Sequence, residues 1–193
     1  MTTLIQIKEV SLKHFAKGGY EGASLANIAD DVGIKKQSIY THFKGKDELF
    51  LQLCSDASEK EIVFVYNFIE SNKNRPIKDF LYDFLLLSID RYEQSDSNKF
   101  WIRTAFFPPS HLNEKVTKVS YDFLDKLEEL LIPIIKKAMV EGEICTVISE
   151  IEVTAAFLGI FDGIVVEMLY GGPERLKKRF NASWDVYWRG ISM

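Results

Sequence analysis

Apolar residues recur along this chain at the spacing of helices, and nowhere with the alternation of strands. Leu25, Ile28, Ala29 and Val32 fall at i, i+3, i+4 and i+7, so one helical face is apolar. Ser24 stands just before that face, where its hydroxyl can accept from an orphan N–H of the first turn. Gly33 follows it, and a glycine there closes a helix without a Cβ penalty. A second short helix fits Lys36 to His42, with Ile39 and Phe43 inward. Two short helices joined by a tight glycine turn predict a helix-turn-helix, a unit whose second helix enters the DNA major groove.

The flanking pattern is helical as well. Ile7, Ser11 and Phe15, with Val10, give a first helix its inward stripe, and Gly18-Gly19 ends it. Gly45 suits the cap of a long helix that opens at Lys46-Asp47 and runs to about Glu70, with a phase drift near Ala57. Ser71–Pro76 reads as a loop, and a helix carrying Phe80, Phe84, Leu87 and Ile89 follows. Ser95–Asn98 breaks the pattern before a short apolar helix, Phe100–Phe107, which Pro108-Pro109 stops. A helix from Asn113 to Glu141 places Val116, Val119, Phe123, Leu127, Leu130 and Ile134 on one side, with a kink expected near Glu129 because of Pro133. The last two helices span Glu150–Tyr170 and the stretch after Gly171-Gly172, where Pro173 fits the first turn. The predicted fold is all-α, about nine helices: a three-helix head, residues 1–46, and a helical body, residues 47–193.

The second helix of the head leaves Lys35, Lys36, Gln37, Ser38, Tyr40, Thr41 and His42 outside its Ile39/Phe43 face. Glutamine and lysine read base edges, while Ser, Thr, Tyr and Lys hold phosphates. Ser24 and Lys46 stand at two helix N-termini, where backbone N–H groups add to the attraction for a phosphate. An ordinary solvated helix is the bland alternative. The cap, the turn and the polar face agree against it, although His42 is equally a surface histidine without a contact.

The stretch Phe15–Leu49 resembles the N-terminal DNA-binding region of the TetR family of transcriptional regulators. Phe15, Gly19-Tyr20, Ser24, Ile28-Ala29, Gly33, Ile39-Tyr40, Phe43 and Lys46 carry the resemblance. Gln37 and Gly45 depart from it, standing where small residues and serine are common in the family. The rest of the chain matches in length and helical character only. The resemblance implies a homodimer bound to a double-stranded DNA operator and an effector pocket in the body.

Charge first argues against nucleic acid and then for it. The whole chain carries −4, but residues 1–47 hold seven lysines against five acids, a net +2, leaving −6 for the remainder. A basic end on an acidic body suits a DNA-binding head, since phosphate neutralisation is local. Cys54 and Cys145 are far apart and lack metal-ligand spacing, so both read as reduced thiols of a cytoplasmic protein. A regulatory disulfide between subunits is the alternative. The N-terminus has no signal-peptide pattern, and the apolar stretch 155–166 is short and broken by Asp162, so no membrane partner is expected.

In the body, Phe64, Phe68, Phe80, Phe84, Trp101, Phe106, Tyr121, Phe157 and Phe161 either line an apolar cavity or fill a solid core. Arg103 and Asp162 are ionisable residues amid apolar runs, read as pocket handles, as a structural ion pair or as exposed charges. The implied pocket would take a small, largely apolar effector. Ala155, Gly159 and Gly163 recur every four residues, leaving one helix face almost without side chains. With Leu176, Phe180, Trp184 and Tyr187 on the last helix, that face suggests a twofold four-helix interface. His14, His42 and His111 lie without a nucleophile motif or a neighbouring carboxylate cluster, and no phosphate loop, dinucleotide fingerprint or metal spacing occurs, so no enzyme, cofactor or metal is expected.

The favoured function is a ligand-responsive regulator, a repressor released when effector pushes the two heads off their DNA spacing. The alternatives are a DNA-binding regulator controlled by a protein partner or by abundance, and a small-molecule-binding or enzymatic helical protein with a vestigial head.

Overall fold

A computed structural model describes residues 2–192. Among these residues nine α-helices follow one another: α1 (Thr3–Gly22), α2 (Leu25–Val32), α3 (Lys36–Ile39), α4 (Lys46–Asn72), α5 (Ile77–Gln94), α6 (Asp96–Phe106), α7 (Asn113–Val140), α8 (Glu150–Tyr170) and α9 (Gly172–Ile191). A 3-10 turn, Ser110–Leu112, precedes α7. The chain forms two compact units. The first comprises the residues up to Glu61 with Gln94–Phe123, the second Ile62–Glu93 with the residues from Leu124 onward. Helices α4 and α7 therefore contribute to both.

The first unit is built on rings. Phe15 meets Phe50 edge to face at 5.0 Å, Phe50 meets Phe100 at 5.5 Å, and Trp101 meets Phe123 at 5.5 Å. Edge-to-face pairs add to the burial energy because the ring edge is positive and the face negative. Ile7, Ile28, Ile39 and Leu49 are fully buried around them. An ion pair and a hydrogen bond tie α1 to its neighbours: Lys8 to Asp56 of α4 at 2.7 Å, and His14 Nε2 to Asp31 Oδ2 of α2 at 2.7 Å.

The second unit buries Phe68 of α4, Phe80, Leu81 and Phe84 of α5 and Val153, Phe157 and Ile164 of α8, with Phe68 5.1 Å from Phe80 and Phe84 6.0 Å from Phe157. Ser149 accepts from the Glu152 N–H while the Glu152 carboxylate reaches back to Ser149 N, a capping box that starts α8. At the other end of α8 the buried Glu167 carboxylate faces Arg175 at 2.8 Å and Arg179 at 3.0 Å, both on α9. A Cβ at Gly171 would run into that carboxylate, so a larger residue there would have to displace the Glu167 side chain.

Several boundaries differ from the pattern reading. Helix α1 breaks at Gly19, whose φ of 66° is left-handed, and then adds one more turn to Gly22 instead of ending. Helix α3 stops at Ile39, three residues before His42. The Ile39 carbonyl accepts from both His42 N and Phe43 N at 3.0 Å, and the Thr41 hydroxyl donates back to Ser38 O at 2.7 Å, so the last turn tightens. Ser95–Asn98 is not a break but a helix start: Ser95 caps α6 by accepting from Asn98 N at 3.2 Å. The inward stripe of α7 continues in steps of four after Leu127, burying Leu131 and Ile135 in place of Leu130 and Ile134. In so apolar a run either phase satisfies the spacing, and packing decides. Pro133 lies inside α7, which continues past it to Val140. Helix α8, at 21 residues, is longer than the apolar stretch 155–166 and apolar enough by composition to cross a membrane, with a mean hydropathy of 1.7 over its most apolar window. Its Val153, Phe157, Ile164 and Val165 lie in the core of the second unit.

Candidate nucleic-acid interface

The recognition pair is set by its turn. Gly33 sits at φ 78°, ψ 31°, the left-handed conformation that only glycine adopts freely. Its N–H bonds Asp30 O, and Ile34 N bonds Ala29 O, both at 3.0 Å, so the orphan carbonyls of α2 are satisfied. Ile39 is fully buried and Phe43 nearly so. Lys35, Lys36, Gln37, Tyr40, Thr41 and His42 are all exposed, and Ser38 is half-buried.

Ser24 caps α2, its Oγ accepting from Ala26 N at 3.1 Å and Asn27 N at 3.3 Å. Both bonds use oxygen lone pairs, so the hydroxyl proton is left to donate elsewhere. Lys46 opens α4, and its Nζ lies 4.1 Å from the centre of the Tyr20 ring. A cation over an aromatic face is attracted by the ring quadrupole. The Tyr20 hydroxyl donates to Asp47 Oδ1, and His111 Nε2 lies 3.4 Å from the same oxygen. The Tyr20 bond, followed by His111, holds the Asp47 carboxyl below the usual range. Burial, followed by the bond to Asp47, raises the Tyr20 phenol. Glu48 reaches back to accept from Lys44 N, closing the entry to α4.

Two histidines each face a single carboxylate, His14 facing Asp31 and His111 facing Asp47. These partners are 17 and 64 residues apart in the chain, beyond any local pattern. Among the described residues no group of three His, Cys, Asp or Glu is placed to hold a metal ion.

The expected effector residues fall in both units. In the second unit the rings form a chain: Phe64 to Phe68 at 6.4 Å, Phe68 to Phe84 at 5.5 Å, and Phe84 to both Phe157 and Phe161 at 6.0 Å. Phe84 and Phe157 are fully buried, while Phe64 and Phe161 are half-buried. Asp162 is exposed along one side, and its partial burial raises the carboxyl above the ordinary value. A cation missed by the pattern reading belongs to this group: the Arg91 guanidinium carbon is 3.7 Å from the centre of the Phe64 ring. In the first unit Trp101 is buried against Phe123, while Arg103, Phe106 and Tyr121 are exposed. That unit also holds a cleft of about 410 Å³ between α1 and α4, lined by Ile5, Leu12, Leu53 and Ala57, and none of the expected effector residues borders it.

The residues expected at a subunit interface separate into two groups. Ala155, Gly159 and Gly163 are exposed, and a Cβ on either glycine would meet no atom within 4 Å. Phe180, Trp184 and Tyr187 are buried within the second unit, with Tyr82 at 5.2 Å from both Phe180 and Trp184 and Phe157 at 5.9 Å from Tyr187; Leu176 is half-buried.

Comparison with known proteins places residues 7–53 in the family described as bacterial regulatory proteins, tetR family. The chain is 26% identical over 141 residues to the HTH-type transcriptional regulator QacR of Staphylococcus aureus, covering 72% of each chain. It is 27% identical over 126 residues to the negative transcriptional regulator IcaR of the S. aureus biofilm operon, covering 58% of this chain and 64% of that one. Among solved structures, FadR from Bacillus subtilis in complex with stearoyl-CoA superposes with a TM-score of 0.73 at 18% identity, over 97% of this chain and 99% of that one. A TetR-family regulator from Agrobacterium tumefaciens gives 0.76 at 18% identity, over 99% and 98%. At these identities the structural likeness is one of fold.

Proposed function

The chain belongs to the TetR family of transcriptional regulators and is not an enzyme, and from this we propose that it is a dimeric repressor that binds a near-palindromic DNA operator and leaves it on binding a small, largely apolar effector. The observation that carries the reading is the polar face of the recognition pair. Lys35, Lys36, Gln37, Tyr40, Thr41 and His42 stand exposed beyond a glycine-closed turn, while Ile39 and Phe43 anchor it from behind. Gln37 and Lys36 would read bases, whereas Ser24, Ser38 and Lys46 would hold phosphates. By role, residues 1–46 bind DNA, and residues 47–193 bind effector and partner subunit.

One short recognition helix reads few base pairs, so a repressor of this kind needs two heads about 34–36 Å apart. The stripe Ile151, Ala155, Gly159, Gly163, Val166 and Tyr170 on α8 is exposed along its length and supports a twofold contact there. Glycine costs a helix interior about 1 kcal/mol against alanine, and close approach of a second helix offsets it. The aromatic residues of α9 support the interface from behind, by holding α8 in place.

The effector would sit against the rings of the second unit, Phe64, Phe68, Phe84, Phe157 and Phe161, with Arg91 and Asp162 as polar handles. FadR holding stearoyl-CoA lends support by analogy of fold. A second reading draws on the same rings: their mutual packing at 5.5 to 6.4 Å fills space, which suits a regulator governed by a protein partner or by abundance. A cytoplasmic, DNA-associated location follows from either. Anisotropy of a labelled operator duplex separates them: release by hydrophobic compounds supports the effector, and indifference to a broad panel of them supports the partner.

A further inference from the structure

We propose that His111 is a positioning residue for DNA binding: through Asp47 and Tyr20 it fastens the first turn of α4, and with it Lys46, in the phosphate-binding pose. The inference rests on the reading of residues 1–46 as the DNA-binding head.

Phe15 stacks on Tyr20 at 6.3 Å, and three further groups meet the ring. Lys46 Nζ lies over its face at 4.1 Å, the edge of Phe50 packs at 5.1 Å, and the His111 imidazole meets it at 5.0 Å with the rings 66° apart. Its hydroxyl donates to Asp47 Oδ1, the oxygen that also lies 3.4 Å from His111 Nε2. Tyr20 thus touches Lys46, Asp47 and Phe50, all in the first two turns of α4. Asp47 suits the first turn, where a carboxylate complements the helix dipole. As an acceptor, it needs donors to hold it in one rotamer. Tyr20 supplies one. His111, protonated on Nε2, supplies the other, and it does so from a segment 64 residues away.

The side chains of His111 and Asp47 are about half exposed, at 48% and 54%. Removing either one therefore empties no core, and a loss of DNA binding would report positioning and not unfolding. Lys115 also bears on the Asp47 charge and Glu21 on Tyr20, so substitutions are chosen to leave those two in place. His111 lies two residues before α7, so any shift of the start of that helix would reach Lys46 through this contact.

The test uses the full chain with His111→Ala, His111→Gln, Lys46→Ala and the double variant. Two readouts are taken: affinity for a selected and a scrambled duplex, and amide exchange at Leu49 and Phe50 in the free protein. His111→Ala is expected to weaken both duplexes alike by about three- to tenfold, the worth of one hydrogen bond. His111→Gln should recover most of that, and the double variant should bind no worse than Lys46→Ala. Exchange at Leu49 and Phe50 should quicken in His111→Ala without DNA present. Affinity within twofold of the parent, losses that multiply in the double variant, or unchanged exchange would each overturn the inference. Failure of the parent chain to bind any duplex would overturn the DNA-binding reading and this inference with it.

Discussion

The Tyr187 hydroxyl donates to the carbonyl of Val153 at 3.1 Å, inside the protein, and so pins α9 to the first turn of α8. That bond and the ring contacts of Trp184 and Phe180 with Tyr82 commit the aromatic face of α9 to its own subunit. The small-residue stripe of α8, by contrast, is exposed. The two faces therefore make opposite predictions.

Tyr187→Phe removes a buried hydrogen bond and should cost about 0.5–1.5 kcal/mol in denaturant unfolding, with the oligomeric state unchanged. A Cβ added at Gly159 would meet no neighbouring side chain or element within 4 Å, so the Gly159→Leu subunit should still fold. Sedimentation should find it monomeric at micromolar concentration, with circular dichroism like that of the parent, and with operator binding lost. A Gly159→Leu protein that still sediments as a dimer would remove α8 from the interface.

In the head, phosphate and base contacts part under salt. Lys46→Ala should weaken every duplex alike and lower the salt slope by about one unit, because a phosphate contact carries no sequence information. Gln37→Ala should leave the slope nearly unchanged and relax the preference at one base position by about 1–3 kcal/mol. An unchanged preferred site would show that Gln37 reads nothing.

The two cysteines should behave differently toward alkylation. Cys54 is fully buried, and burial pushes its thiol up to about 12, so almost none is thiolate at pH 8. Cys145 is half-buried. Mass spectrometry after iodoacetamide should show Cys145 modified first and Cys54 only after unfolding. Equal rates would mean that α4 opens near Cys54 in the native protein.

Asp162 contributes to pH dependence with a definite sign. Its carboxyl is raised by burial, so the folded chain binds this proton more tightly than the unfolded chain does. Stability from this group is therefore greatest below the unfolded value and is lost as pH rises through the raised folded value. Asp162→Asn should be the more stable protein at pH 7 and should match the parent near pH 3. A variant less stable than the parent at pH 7 would mean that the ionised carboxylate has a favourable partner.

What was legible in the sequence was local. Ser24 and Gly33 mark both ends of α2 because a cap and a left-handed turn need particular residues within one turn of the helix. Ser95 misled for the same reason, since Ser-Asp-Ser-Asn is composed like a loop yet starts a helix. Leu130 against Leu131 was undecidable by period, because both phases are apolar. The contacts that shape the sites were out of reach: His111 to Asp47 spans 64 residues, and Arg91 over Phe64 joins two helices. Arg103 stood out only because its own neighbours are apolar, and the structure leaves it exposed. The α9 aromatics were visible as a face, but not which partner that face meets.

Whether a dimer reads a near-palindromic operator is decided by selecting bound duplexes from a random pool and sequencing them. A dimer of this kind should enrich an inverted repeat whose half-sites are about one helical turn, 34–36 Å, or a multiple of it apart. A pool without enrichment, or one enriched in a single unrepeated half-site, would contradict it.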